Sequence, residues 1–329
     1  MKSVAARHLF EAVTPDSLKT RYFVARNAWL DRAYSRRFGE HTVPLPNEVR
    51  SYLRSDNPKL IDLQHRYSNA NAFTHTFWKN WRKHIDLANF RAEGAYLSQG
   101  ADSNAGSLYF AQTVYVEAVD QWHLLQSLHE DGLFGCHTFH FAPDRLVSRD
   151  LLDSILEITF ISKALGLKQS DGVRVLDIGA GYGRLAHRLL TAFPNGNVTN
   201  IDAVPESTFL CDFYTRFRGV GDRSTTLAVD EIDRLSSERF DIATNVHSWS
   251  ECPRQTVRKW MGVVRDLQVP LLFVVPHDDK FHSTEQNGKD TFLPEITAAG
   301  YREVARAPKF PASGTLHAAS PVLYTLFAL

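Results

Sequence analysis

The sequence predicts an α/β protein in which a doubly wound, mostly parallel sheet follows a mainly helical N-terminal region. Residues 173–190, VRVLDIGAGYGRLAHRLL, run from a β-prone segment through a glycine-rich turn into an amphipathic helix. This is the βα unit that opens such a sheet. Strand-like segments then recur to residue 329, whereas residues 1–147 show helical periodicity without a nucleotide motif.

The later strands are predicted from short apolar runs. We expect them at 198–201, 227–229, 240–246, 271–275, 301–307 and 322–329, with helices at 253–267 and 292–299. The run 271–275, LLFVV, suits a strand that is buried on both faces of a parallel sheet. Because no helix separates the last two strands, they must pair antiparallel. The expected fold is therefore a Rossmann-like sheet, mostly parallel, with an antiparallel terminal strand.

The glycine turn carries an acid at the end of its strand. Asp177 stands two residues before Gly179, and Gly181 and Gly183 follow. This GxGxG spacing differs from the GxGxxG of dinucleotide sites, in which the pyrophosphate lies on the helix N-terminus. A carboxylate here would repel a pyrophosphate and attract a cationic amino-acid end. The four residues are thus expected to bind S-adenosyl-L-methionine; the alternative is a purely structural turn.

Three further polar residues are expected to bind the same cofactor. Asp202 ends the second strand about 20–25 residues past the glycine loop, where this fold places a carboxylate against ribose hydroxyls. Asp230 follows the third strand and suits the adenine amino group. Asn245 ends the fourth. A turn or helix-capping role is the alternative for Asp202, and a solvated acidic turn for Asp230.

Three segments carry a resemblance to a known family. They are FGCHTFHFAPDRLVSRDLLDSILEITFI, VLDIGAGYGRLA and NVHSWSEC. The glycine loop resembles motif I of class I methyltransferases. The combination, over residues 90–329, resembles a sugar O-methyltransferase family found in natural-product and surface-glycan gene clusters. Its N-x-x-S-x-x-E motif falls on Asn245, Ser248 and Glu251, with Cys252 where the family more often has Met. The resemblance implies methyl transfer to a sugar hydroxyl.

A hydroxyl is a weak nucleophile, so a general base is expected within hydrogen-bond reach of it. His247, after the fourth strand, is the first choice. Glu251 could orient His247, bind a sugar hydroxyl or act as the base, and His277 after the fifth strand is the rival base. No metal is predicted. The alternatives are methylation of a phenol or an amine, or a non-catalytic partner subunit that binds the cofactor.

The overall composition limits the classes of binding partner that we expect. Lys plus Arg equals Asp plus Glu at 37 each, so no net charge attracts nucleic acid or an anionic membrane. No apolar run approaches the ~18 residues of a membrane span, and a cytoplasmic location is expected. Three scattered cysteines argue against a disulfide framework. The expected partner is a small-molecule or glycan substrate; a homo-oligomer stays an open alternative.

Two domains are expected, 1–147 for substrate binding or as a lid and 148–329 for the cofactor. In the first, 92–108 is expected to form a loop over the site. Trp78 and the other aromatic residues favour a packing role, with stacking on a sugar ring as the alternative. A helix at 147–165 should begin at Ser148 as N-cap. Its acids Asp153 and Glu157 are expected to be in solvent or in contact with a ligand.

Overall fold

The computed structural model describes residues 16–38, 43–68, 73, 78, 81–99, 105–283, 290–311, 316 and 322–329. The α-helices of this part are α1 (Asp16–Phe38), α2 (Asn47–Tyr52), α3 (Pro58–Ser68), α4 (Ala105–Val119), α5 (Leu124–Ser127), α6 (Arg149–Leu165), α7 (Arg184–Ala192), α8 (Pro205–Phe217), α9 (Arg254–Asp266) and α10 (Leu293–Ala298). None of these described helices is long and apolar enough to cross a membrane.

The strands form a hairpin and one large sheet. The hairpin pairs β1 (Phe139–Ala142) with β2 (Arg145–Val147). The sheet contains β3 (Arg174–Ile178), β4 (Asn197–Ile201), β5 (Ser224–Leu227), β6 (Ile242–Val246), β7 (Leu271–Val275), β8 (Arg302–Pro308) and β9 (Leu323–Ala328).

The large sheet has the order β5-β4-β3-β6-β7-β9-β8. Strands β3 to β7 pair in parallel, whereas β9 is antiparallel to both β7 and β8. This confirms the predicted fold class, including the reversed terminal strand. The third strand lies earlier than predicted, at Ser224–Leu227, because a 3-10 helix begins at Val229.

Helix α6 runs from the N-terminal region to the sheet. Ser148 is its N-cap and accepts a hydrogen bond from the Leu151 backbone N–H at 3.1 Å, as predicted. The helix lies between α4 and α7, which buries most of its surface. Asp153 and Glu157 are therefore almost wholly buried, and the expectation that they might face solvent is wrong. Each is paired with a cation.

The N-terminal region and the sheet contribute residues to the same hydrophobic clusters. Leu60, Phe90 and Phe134 pack in the same cluster as Ile178 and Tyr214. Residues 92–99 form no helix, as predicted for the loop 92–108, but α4 already begins at residue 105; residues 100–104 lie outside the described part.

A buried ion cluster also joins the two regions. Arg91 donates to Glu130 at 2.7 Å and to Asp150 at 2.9 Å. Arg188 on α7 reaches the same glutamate at 3.3 Å, and the Tyr182 hydroxyl of the glycine loop donates to Asp150. Because charges removed from water require close partners, this cluster fixes the N-terminal region against the glycine loop.

Candidate active site

A cavity of about 460 Å³ opens where β3, β4, β6 and β7 end. Ligands of open α/β sheets bind at this edge, and the volume lies within the usual range for small-molecule sites. The lining includes four of the predicted cofactor residues and all three predicted catalytic residues: Asp177, Gly179, Gly181, Asp202, His247, Glu251 and His277. The structure thus brings together side chains that are up to 100 positions apart in sequence.

At two of its cavity-lining positions, the glycine loop leaves little room for a side chain. Gly179 and Gly181 have φ angles of +72° and +58°, which L-residues rarely adopt. A Cβ atom on Gly179 would lie 2.0 Å from the Ser248 hydroxyl oxygen. One on Gly181 would lie 3.2 Å from the Tyr96 ring. Glycine is therefore required at these two positions both for the turn conformation and for the close contact with Ser248 and Tyr96.

Asp177 is a buried carboxyl group at the end of β3. The Thr244 hydroxyl donates to its Oδ1 at 2.7 Å. Burial raises the pKa of Asp177 to about 6, against the opposing effects of Thr244 and Arg184. A buried carboxylate with so little compensation favours a cationic ligand, because a positive charge would stabilise its ionised form.

Asp202 connects the end of β4 with the glycine loop. Its carboxylate accepts from the Gly181 backbone N–H at 2.9 Å and from that of Val204 at 2.8 Å. Burial raises its pKa to about 7, although these two donors lower it. The turn role that the sequence left as an alternative is present. Each oxygen of the Asp202 carboxylate has a further lone pair, so it can still accept a hydrogen bond from a ribose hydroxyl of a ligand in the cavity.

Asn245 is placed beside the cavity lining. Its amide nitrogen donates to the Ile178 carbonyl at 2.8 Å and to the Ser248 hydroxyl at 2.7 Å, and its oxygen accepts from the Trp249 N–H at 3.1 Å. These bonds fasten the end of β6 to β3. A direct cofactor contact by Asn245 stays a prediction.

Two other predicted cofactor residues also lie outside the cavity lining. Gly183 has a φ of +84°, and a Cβ there would lie 3.0 Å from side-chain atoms of Cys211 and of Thr215, so it allows α7 to pack on α8. Asp230 forms two hydrogen bonds with Arg66, at 2.8 and 2.7 Å. The adenine contact of Asp230 stays a prediction; in the structure its carboxylate is paired with Arg66.

His247 occupies a strained position at the end of β6. Its φ of +67° is uncommon for a residue with a side chain. Its ring centroid lies 5.2 Å from that of His277, and no described residue forms a hydrogen bond with its buried Nδ1. Burial, with the nearby His277 and Arg149, holds the pKa of His247 well below its usual value. The imidazole is therefore neutral and weakly basic.

Glu251 is held by a residue of the N-terminal region. The Trp78 indole N–H donates to its Oε2 at 2.7 Å, and His277 Nε2 lies 3.9 Å from its Oε1. Burial raises the pKa of Glu251 to about 7. No local pattern indicates the contact with Trp78, because the two residues are 173 positions apart. Two aromatic residues of the N-terminal region, Trp78 and Tyr96, line the cavity.

Comparison with known proteins finds only distant structural likenesses. No family model and no curated protein match the chain. Among solved structures, it is similar to the glycopeptide N-methyltransferase MtfA complexed with sinefungin, at 15% identity and a TM-score of 0.40, over 53% of this chain and 85% of that one.

Two further structures show a comparable likeness. The [4+2]-cyclase SpnF matches at 18% identity and a TM-score of 0.38, over 68% of this chain and 94% of its own. A SAM-dependent methyltransferase from Geobacter sulfurreducens, in complex with S-adenosyl-L-homocysteine, matches at 17% and 0.35, over 52% and 89%. Similarity this low says nothing about ligand or acceptor. The sheet order and the reversed terminal strand themselves define a class I methyltransferase-like fold.

Proposed function

We propose that this protein is an S-adenosylmethionine-dependent O-methyltransferase that acts on a sugar hydroxyl. The observation that carries the proposal is the buried Asp177 carboxylate at the rim of a glycine-rich turn, inside a cavity of ligand size. A cationic amino-acid end would stabilise this carboxylate, whereas a pyrophosphate would be repelled. Asp177, Asp202 and the loop glycines are the residues that would hold the cofactor.

When bound, the cofactor supplies an activated methyl group on a sulfonium. Methyl transfer to a hydroxyl would also release the hydroxyl proton, which a base of this chain would have to accept. We assign that proton to the Glu251 carboxylate. A base is most effective when its pKa is near the working pH, and the pKa of Glu251 is about 7. The depressed pKa of His247 makes it a weaker base than Glu251, so we assign the base to Glu251 and not to His247.

The sugar acceptor is supported by the sequence resemblance and by the walls of the cavity. Trp78 and Tyr96 both line it, next to the glycine loop and Glu251. Aromatic faces suit the C–H face of a sugar ring, and Glu251 and His277 supply polar partners for its hydroxyl groups. A phenol would use the same aromatic walls, so the acceptor must be tested directly.

The test measures S-adenosylhomocysteine formed from S-adenosylmethionine with matched acceptors: a glycoside, a phenol and an amine. We expect turnover with the glycoside. In the Glu251→Gln variant, kcat should fall by about 10²–10⁴-fold with cofactor affinity unchanged. Glu303→Gln, at a surface ion pair on β8, is the matched control and should retain full activity. Turnover of the phenol or amine alone would contradict the sugar acceptor, and cofactor binding without any turnover would favour a non-catalytic subunit.

A further inference from the structure

The solvent-facing side of α1 carries a row of apolar side chains. Leu18 and Trp29 are 51% and 62% exposed, and Tyr22 between them is 52% exposed. Residue 29 follows residue 18 by about three helical turns, so both side chains project on the same side of the helix. Ala25 lies between them on that side and is exposed as well. Exposed apolar side chains that lie together in this way mark interaction sites.

Exposed arginines surround this apolar row. In helical projection Arg21 and Arg32 lie on one flank of the row and Arg26 on the other, and Arg36 extends the row by about two turns. No described residue forms an ion pair with any of the four, and no described side chain on this side of the helix is acidic. The four arginines and the apolar row together form what we call the outer face of α1. It is apolar along its centre and positive at its edges.

The opposite side of α1 is fixed to the rest of the protein. Leu30 is buried in a hydrophobic cluster that includes residues of α6 and of the sheet. The Tyr34 hydroxyl donates to the Thr138 carbonyl at 2.6 Å, and His137 Nε2 lies 2.8 Å from Asp31 Oδ1. Because these contacts fix the rotation of the helix about its own axis, the outer face stays directed away from the protein.

The composition of the outer face favours one kind of partner. A second copy of the chain is unfavourable there, because a two-fold contact would bring two equal sets of arginines together. A nucleic acid would neutralise the arginines but leave Leu18 and Trp29 without an apolar partner. An anionic lipid surface satisfies both requirements, since its phosphates neutralise the arginines and its acyl region accepts the apolar side chains. Tryptophan and tyrosine are also enriched at this boundary.

We propose that the outer face of α1 binds the surface of an anionic membrane, with the helix lying in the plane of the interface. The arginines contact lipid phosphates, and Leu18 and Trp29 enter the boundary between head groups and acyl chains. The zero net charge of the whole chain does not oppose this, because screening limits the attraction to charges within roughly 8 Å of the surface. Phe23 of α1 packs against the cluster that contains Trp78, so the helix lies behind a wall of the cavity. The inference does not depend on the proposed methyl transfer.

The experiment is co-sedimentation of the full chain with vesicles of phosphatidylcholine alone, or of phosphatidylcholine and phosphatidylglycerol in equal parts. We expect binding to the anionic vesicles only, and weaker binding as the salt concentration rises. Arg32→Gln should lower the partition coefficient about fivefold, as for one basic residue at an anionic surface. Trp29→Ser should lower it about tenfold through the lost apolar burial. Arg265→Gln, at an exposed ion pair with Asp266 on α9, is the matched control and should bind like the wild type.

Two further measurements identify the partner and the contact. Brominated lipid in the anionic vesicles should quench part of the tryptophan fluorescence, and Trp29→Phe should remove that quenching. An unchanged urea midpoint shows that each variant is folded. Equal binding to both kinds of vesicle, or binding that Arg32→Gln and Trp29→Ser leave unchanged, would overturn the inference. Tighter binding to a DNA duplex than to the anionic vesicles, or a dimer in gel filtration that Trp29→Ser dissociates, would assign the outer face to another partner and overturn it equally.

Discussion

Replacing Asp177 with asparagine should stabilise the free protein while it weakens cofactor binding. Asparagine has the same shape, and its carbonyl can still accept the hydrogen bond from Thr244. It lacks the charge that burial makes unfavourable. The opposite signs of the two effects distinguish a ligand-binding carboxylate from one that serves the fold alone.

The size of the stability effect follows from the pKa of Asp177. In the folded protein it is about 6, against a usual value of 3.8. Stability that comes from the neutral group is complete below about pH 3.8 and is lost as the pH rises through about 6. At pH 8 the ionised side chain therefore costs the folded state about 3 kcal/mol, which Asp177→Asn would recover. Near pH 4 the two proteins should be almost equally stable.

The assays are urea unfolding at both pH values and calorimetric titration with S-adenosylhomocysteine. We expect the dissociation constant to rise by about 10–150-fold, as for a lost hydrogen bond to a charged group. Asp266→Asn, at an exposed ion pair, is the matched control, with effects below about 0.5 kcal/mol. A variant that is destabilised at pH 8, or that binds like the wild type, would refute the reasoning.

Three further predictions test other parts of the site. Trp78→Phe removes a hydrogen-bond donor that lowers the pKa of Glu251, so the rise of kcat/KM with pH should move about 0.5–1 pH unit higher. An unchanged pH profile would exclude Glu251 as the base whose pKa Trp78 lowers. Gly179→Ala should lower the free energy of unfolding by at least about 1–2 kcal/mol and abolish S-adenosylhomocysteine binding. The control is Gly262→Ala on α9, which has no atom near its Cβ and should not destabilise the protein. Equal effects of the two substitutions would contradict the geometry of the glycine loop. Arg91→Met leaves two buried carboxylates without their shared partner and should cost about 3–5 kcal/mol in urea unfolding, and a near-neutral result would show the cluster to be dispensable.

The sheet was predictable because its signals are local. The strand around Asp177 and the apolar run 271–275 can each be recognised from a few consecutive residues, and glycines mark the turn. The edge strand β5 was placed late, since STTL at 224–227 has little apolar pattern to define it. The reversed terminal strand followed from the connections, because no helix separates the last two strands.

The site was predictable only where it follows strand ends. Asp177, His247 and Glu251 reach the cavity for that reason. Whether such a side chain points into the cavity depends on its hydrogen-bond partners: those of Asn245 are all within the protein, so its contact with the cofactor stays a prediction. The ion pair of the buried Asp153 depends on a lysine 156 positions away, which no local pattern shows.

The most direct measurement is a crystal structure of the complex with S-adenosylhomocysteine. It should show the ligand's amino group within hydrogen-bond distance of the Asp177 carboxylate and its sulfur directed towards the Glu251 side of the cavity. A ligand bound away from the glycine turn, or held with its amino group remote from Asp177, would contradict the account.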